Sequence, residues 1–126
     1  MIECPFFRGK INRALDFGVR IIKFADKLPK SAAGVVLVKQ LIRSGVSIGA
    51  NMEEADGASS KADFINKVTI ARKEARETHY WLQLIKKAEL IHHEANLEEL
   101  AQLTAEAEAL KRILSAIINK AKDKKQ

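Results

Sequence analysis

The 126-residue sequence has one cysteine, two prolines, six glycines and only 6% aromatic side chains. The single cysteine, Cys4, excludes an internal disulfide and a thiolate metal cluster. Few helix breakers and few aromatics favour helices over sheets. The chain is long enough to bury one core without staples but too short for two independent cores. We therefore expect a single domain over residues 1–126.

Long uncharged stretches are also missing. The longest uncharged stretches are residues 31–38 and 44–52. Both are far shorter than the roughly 18 to 20 apolar residues that span a bilayer. The amino-terminal residues lack the positive segment and following apolar stretch of a secretory signal. The sequence therefore predicts a cytoplasmic protein with no membrane contact.

Apolar residues recur at three- and four-residue steps, which is typical of amphipathic helices. In the first segment they are Ile11, Ala14, Leu15, Gly18, Ile21, Ile22, Ala25 and Leu28. Pro29 ends this segment, which predicts a helix over 10–28. Ser31 is a plausible N-cap for a second helix over 31–55, which the turn residues 56–60 terminate.

Two further helices follow the same pattern. Ser60 and Asp63 form a weak capping box before a helix over 60–90, whose apolar residues keep a 3.5-residue repeat. Asn96 and Glu99 form a second capping box before a helix over 96–122. Because the connections are short, neighbouring helices should run antiparallel. The prediction is an all-α, antiparallel up-down-up-down four-helix bundle.

The net charge of +6 is unevenly distributed along the chain. Residues 1–30 contain seven basic and three acidic side chains, whereas residues 91–110 contain five glutamates and no lysine or arginine. Residues 111–126 are basic again. Complementary acidic and basic regions on different subunits could drive self-assembly, although the fourth helix's charges also suit its macrodipole.

Two groups of cations are candidates for nucleic-acid binding, since such side chains can neutralise phosphates. One group lies on the predicted polar side of the first helix, and we name it the basic stripe. It comprises Lys10, Arg13, Arg20, Lys23, Lys27 and Lys30. The other group comprises Lys120, Lys122, Lys124 and Lys125. The alternative is a solvated face that keeps the protein soluble.

Polar residues also line one side of the second helix. Arg43, Ser47 and Asn51 follow four-residue steps, and Glu77 of the third helix could face them. Such a group would act as a structural polar network that fixes helix register. The other interpretation is a small enzyme that uses Arg43, Asn51 and Glu77 in a pocket, but no acid and base pair can be assigned to it.

Metal and cofactor chemistry find little support in the sequence. A di-iron bundle needs two Glu-x-x-His motifs, and only Glu89 with His92 fits that spacing. Glycine-rich phosphate loops and nucleophile elbows are missing. We therefore expect no metal, no cofactor and no catalytic residue. Tyr80 and Trp81 are adjacent in a helix, so at most one points into the core and the other could anchor an interface.

Three segments resemble a known bacterial family. They are residues 43–55, 63–65 and 70–82, with Ser47-x-x-x-Asn51 and Glu77-Thr78-x-x-Trp81-Leu82 as the most specific marks. The sequence is similar, over nearly its whole length, to four-helix bundle proteins encoded in ribosomal-RNA intervening sequences. That resemblance implies a left-handed bundle, often a ring-shaped pentamer, mostly without assigned activity. A related branch comprises basic accessory proteins of diversity-generating retroelements, which work with a reverse transcriptase and nucleic acid.

The sequence and the resemblance together lead to one main functional hypothesis. It is a non-enzymatic homo-oligomer whose basic surface binds RNA or an RNA-bound protein. The alternative is a protein-only assembly module in which the same charges connect subunits.

Overall fold

The computed structural model describes residues 5–123, and these residues form four α-helices without any β-strand. The all-α four-helix prediction is therefore confirmed. The helices are α1 (Pro5–Ala25), α2 (Ala32–Asp56), α3 (Lys61–Lys87) and α4 (Glu94–Asp123). α1 packs against α2 and α4, and α3 packs against the same two helices from the opposite side.

Contacts between neighbouring helices run in opposite sequence order. Arg8 and Gly18 of α1 lie beside Glu53 and Val46 of α2. The same reversal is seen between α2 and α3 in the pairs Glu54–Lys67 and Ser44–Thr78. It is seen between α3 and α4 in Arg72–Ser115 and His79–Glu108, and between α1 and α4 in Arg13–Glu106 and Arg20–Glu99. Each neighbouring pair is thus antiparallel, which makes α1 parallel to α3 and α2 parallel to α4.

The ends of α1 differ from the predicted ones. The helix begins at Pro5, a residue well suited to a first helical turn. It ends at Ala25 because the chain then tightens into a turn, with the amide of Lys27 donating to the carbonyl of Phe24 at 2.8 Å. Leu28, the predicted last residue, lies beyond the helix but is still buried.

Side-chain caps define the starts of α2 and α3. Ser31 Oγ accepts from the amide of Gly34 at 3.2 Å, and Ser60 Oγ accepts from the amide of Asp63 at 3.0 Å. Both predicted N-caps are confirmed. Each bond satisfies one of the amides that a helix leaves unpaired in its first turn.

The connection between α3 and α4 differs from the prediction. α3 ends at Lys87, and Glu89 then takes a positive φ of 56°. The imidazole Nδ1 of His93 accepts from the amide of Ala95 at 3.3 Å, so α4 starts at Glu94. The predicted capping box at Asn96 is wrong, because a side chain three residues earlier caps the helix first.

The core is one continuous cluster from all four helices. Phenylalanine provides much of its volume in α1, where Phe7, Phe17 and Phe24 are buried. The rings of Phe7 and Phe64 lie 5.3 Å apart between their centroids and join the diagonal pair α1 and α3. Full burial of each such side chain contributes about 1.5 to 3 kcal/mol.

The predicted apolar face of α1 is partly wrong. Leu15 is 62% exposed and Ile22 is 48% exposed, although both were expected in the core. Phe17 and Phe24 occupy the core in their place. The buried side of α1 is therefore broader toward Phe17 and Phe24 than expected, and an aliphatic strip that includes Leu15 and Ile22 is left uncovered beside α2.

One helix, α2, is long and apolar enough to cross a membrane by length and composition alone. The expectation of no membrane contact, drawn from the lengths of the uncharged stretches, therefore remains a prediction. Core helices of soluble proteins pass the same test, so this is weak support for a span. Lys39 and Arg43 lie within α2, where a bilayer would make their charges costly.

A candidate interaction surface

Two arginines of the basic stripe are held in ion pairs within the bundle. Arg13 donates to Glu106 from Nε at 2.6 Å and from Nη2 at 2.8 Å. Arg20 donates to Glu99 through Nε and Nη2, both at 3.2 Å. Hydrogen bonding to Glu106 raises the pKa of Arg13. These bidentate pairs fasten α1 to α4, so the guanidinium groups of Arg13 and Arg20 are already paired with carboxylates inside the bundle.

The lysines of the basic stripe remain accessible. Lys23, Lys27 and Lys30 are exposed, and none has an ion-pair partner among residues 5–123. They cluster where α1 ends and the chain turns into α2. Lys10 is half-buried and lies 5.0 Å above the ring of Phe6, a weak cation–π contact at an exposed site.

The carboxyl-terminal lysines form a separate group. Lys120 and Lys122 are exposed in the last turn of α4, whereas Lys124 and Lys125 lie outside the described residues. Because α1 and α4 are antiparallel, this group is at the opposite end of the bundle from Lys23 and Lys27. α1 alone is about 30 Å long at 1.5 Å per residue. The structure therefore does not bring the candidate cations into one patch.

The proposed polar network is only partly assembled. Arg43 contacts Glu77 through Nη2, and its Nη1 donates to Glu74 at 3.3 Å. Ser47 donates instead to the carbonyl of Arg43 at 2.6 Å, and Asn51 donates to the carbonyl of Ser47 at 2.9 Å. The guanidinium of Arg43 is exposed, so this cluster is a surface contact between α2 and α3.

A further arginine ties the start of α1 to the end of α2. Arg8 donates to both oxygens of Glu53 at 2.9 Å and to Asp56 at 2.9 Å. Hydrogen bonding from Arg8 lowers the pKa of Glu53. Sequence reasoning missed this group, as it missed the α1–α4 pairs, although acidic residues at the end of α2 were visible.

An apolar groove runs along the outside of α1 and α2. Its walls are the exposed Leu15, Val19 and Ile22 of α1 with Val46 of α2, and its floor includes small residues. The groove has a volume of about 410 Å³ and is lined by Arg8, Ile11, Asn12, Ala14, Leu15, Gly18, Val19, Ile22, Val46, Gly49, Ala50 and Glu53. Clustered exposed aliphatics of this kind mark interaction surfaces.

The rings of the two adjacent aromatic residues of α3 contact each other edge to face, with centroids 5.3 Å apart, but they differ in exposure. Tyr80 is 57% exposed, whereas Trp81 packs against the core and donates from Nε1 to Glu77 at 3.1 Å. Tyr80 is thus the one of the pair available to a partner.

Residues 5–123 contain no group of three histidine, cysteine or carboxylate side chains placed to hold a metal ion. His92 is exposed, and His93 serves as the cap of α4.

Taken together, the fold and these surfaces define an all-α four-helix bundle protein with a charged exterior and an open apolar groove. The family model described as 23S rRNA-intervening sequence protein matches residues 10–116, so the chain belongs to that family.

A solved structure supports this assignment. The chain is 40% identical to a protein of unknown function from the S23 ribosomal protein family of Bacteroides thetaiotaomicron VPI-5482. The two align with a TM-score of 0.77 over 86% of this chain and 97% of the other. A comparison with curated proteins found no match.

Proposed function

We propose that this protein is a non-enzymatic, self-associating helical bundle that binds RNA through exposed lysines in the cytoplasm. The observation that carries this proposal is the cluster Lys23, Lys27 and Lys30, which lacks carboxylate partners among the described residues. In a chain of net charge +6, such a cluster is free to neutralise phosphates. Membership of the family described as 23S rRNA-intervening sequence protein also supports a proposed RNA ligand.

The mechanism is electrostatic, with no base-reading element. Each phosphate that a lysine neutralises releases a counterion, so affinity should fall steeply as salt rises. Helical RNA would be recognised by its backbone and shape, because its deep major groove hides the base edges. The arginines in bidentate ion pairs contribute to the bundle's stability instead of to RNA contact.

Charge-reversal variants test the RNA proposal. Lys23→Glu, Lys27→Glu and Lys30→Glu together should abolish binding to a structured RNA at moderate salt. The matched control reverses Lys73, Arg76 and Lys87 of α3, which are also exposed and without ion partners in the described range. This control changes net charge equally but should retain most of the affinity.

The salt dependence of RNA binding gives a second test of the proposal. Between about 50 and 200 mM salt the wild-type affinity should fall at least tenfold for a few phosphate contacts. An affinity that stays constant over this range contradicts the proposal. Equal losses in the two triple variants would show that total charge matters and the lysine cluster does not.

A second candidate is a protein-only assembly module, which the apolar groove favours. Here the charges would connect subunits and RNA would have no effect. Light scattering with and without a structured RNA, across a salt series, separates the candidates, because only the second predicts an oligomer on which added RNA has no effect.

A further inference from the structure

The groove between α1 and α2 is shaped to receive a helix with a shallow surface. Gly18, Gly49 and Ala50 keep its floor low, while Leu15 and Ile22 form a raised wall. A helix that docks there must present small side chains, since large ones would contact the wall residues and keep the two helices apart. Close helix packing of this kind depends on small residues at the contact.

The outer side of α4 meets this requirement. Ala101, Ala105 and Ala116 are exposed on it, and its flanking Arg112 is 72% exposed at the side chain. Within a single chain these alanines face solvent and pack against nothing. A row of solvent-exposed alanines therefore offers the shallow surface that the groove accepts.

Charge positions on α2 and α4 match each other. On α2, Lys39, Val46 and Glu53 are seven residues apart, so they share one side of the helix; Val46 and Glu53 line the groove, and Lys39 lies two turns before Val46 on that side. Along the outer side of α4, Glu98, Ala105 and Arg112 have the same spacing. All six side chains are exposed. The two rows carry opposite charges at both ends and an apolar residue in the middle. Lys39 and Glu98 have no ion partner among residues 5–123, whereas Glu53 is paired with Arg8 and Arg112 with Glu108 in the same chain.

Helix direction decides which arrangement satisfies both rows. Because α2 and α4 run parallel in the bundle, two copies with the same orientation place α2 of one parallel to α4 of the other. In the axial register that matches the two rows, Lys39 faces Glu98, Val46 faces Ala105, and Glu53 faces Arg112. Coupling of opposite charges across parallel helices sets partner orientation, as it does in coiled coils.

We propose that α4 of a second copy of this chain docks in the α1–α2 groove, in a head-to-tail contact between bundles of the same orientation. The proposal rests on the self-association in the proposed function and identifies the two surfaces that meet. The surfaces are different, so the contact is heterologous and each copy can offer its own α4 to the next. Repetition then closes a ring or continues as a filament.

A charge swap tests the contact. Lys39→Glu and Glu98→Lys alter side chains without ion partners among residues 5–123, so neither should unfold the bundle. Each single variant places like charges together, and at least a tenfold loss in association constant is expected by sedimentation or light scattering. The double variant restores opposite charges and should recover the wild-type assembly. Lack of recovery contradicts the proposal.

Groove variants test the apolar part. Leu15→Gln with Ile22→Gln changes exposed side chains to a good helix former, so the thermal midpoint of the monomer should hardly change. The assembly should dissociate. Val36→Gln is the matched control, because Val36 is 57% exposed but lies outside the groove. An equal effect of the control would point to general hydrophobicity, against a groove contact.

Cysteine pairing distinguishes this arrangement from a two-fold one. In a Cys4→Ser background, Val46→Cys mixed with Ala105→Cys should form a disulfide-linked pair, and each protein alone should form none. A link between two Val46→Cys chains would show that grooves face each other, which overturns the proposal. If wild-type protein is monomeric at all concentrations, self-association itself fails. If it assembles but the swap and groove variants have no effect, only the docking surface fails.

Discussion

The hydroxyl oxygens of Thr78 and Ser44 lie 2.8 Å apart at the fully buried contact between α3 and α2. Thr78 Oγ1 is also 2.8 Å from the carbonyl oxygen of Glu74, and Ser44 Oγ is 3.4 Å from that of Leu41. Each hydroxyl therefore has an acceptor or donor on both helices. Within the described residues no buried side-chain polar atom lacks a partner. The pair fixes the register of α3 against α2, since any slip would leave buried hydroxyls unpaired.

Thr78→Val should destabilise the bundle by about 1 to 2 kcal/mol. The substitution keeps the side-chain shape and removes the hydroxyl, so Ser44 loses its partner across the interface. Urea unfolding followed by circular dichroism measures the effect, with an unchanged m-value expected. The Ser44→Ala, Thr78→Val double variant should be less destabilised than the sum of the two single variants, because no unpaired group remains. Strict additivity would contradict a coupled pair.

Gly34→Ala should be among the most damaging small changes in the chain. A Cβ at this position would stand 1.8 Å from the carbonyl oxygen of Pro29, which is backbone and cannot move aside cheaply. We expect a loss of at least about 2 kcal/mol from this overpacking, measured as a lower thermal midpoint.

Gly9→Ala is the matched control for that change. Nothing lies within 4 Å of a Cβ at Gly9, and the residue is exposed in α1. Alanine should therefore stabilise the helix by about 0.5 to 1 kcal/mol. A similar loss in both variants would show that the contact with Pro29 is not responsible.

Sequence periodicity located the four helices and most of the side of α1 that faces the core, but it placed Leu15 and Ile22 there wrongly. Apolar residues occur on most sides of this helix, so its pattern allows two core-facing sides. One contains Leu15 and Ile22, and the other contains Phe17 and Phe24. The phenylalanine side chains are the ones buried, because each removes more apolar area from water than leucine or isoleucine does. The displaced aliphatics form the groove wall, which no single-helix pattern identifies because the groove needs α2 as its other side.

The ion pairs between α1 and α4 could have been found from spacing. Arg13 and Arg20 are seven residues apart, and so are Glu99 and Glu106. In an antiparallel pair of helices these positions meet two by two. The basic stripe was predicted from α1 alone, which could not reveal that its arginines face a neighbouring helix. The His93 cap was not foreseeable in this way, since imidazole is not among the preferred N-cap residues.

Acid should destabilise the bundle through specific carboxylates. Hydrogen bonding from Arg8 lowers the pKa of Glu53, and hydrogen bonding from Lys111 lowers that of Glu108, both from an ordinary value of 4.5. A depressed pKa contributes stability that is present above pH 4.5 and is lost as pH falls through the lower folded value. The midpoint temperature of thermal unfolding should therefore decrease when the pH is lowered below about 4.5.

Glu53→Gln tests the source of this acid sensitivity. The variant should be less stable than wild type at neutral pH and should lose less stability on acidification. Glu89→Gln is the control, because Glu89 is exposed and has no ion partner among the described residues. Parallel pH profiles for wild type and Glu53→Gln would argue against the contribution of the Arg8 contact.

Glu77 serves two donors, and separate variants should resolve its roles. It accepts from Trp81 Nε1 at 3.1 Å and contacts the guanidinium of Arg43. Glu77→Ala removes both contacts and should destabilise by about 1 kcal/mol, with Trp81 becoming more accessible to a neutral fluorescence quencher. Trp81 is the single tryptophan, so its emission reports this position alone. Arg43→Gln removes the exposed ion pair and leaves the indole bond, so quenching should stay at the wild-type level. Increased quenching in Arg43→Gln would show that the arginine, and not the indole bond, holds the ring in place.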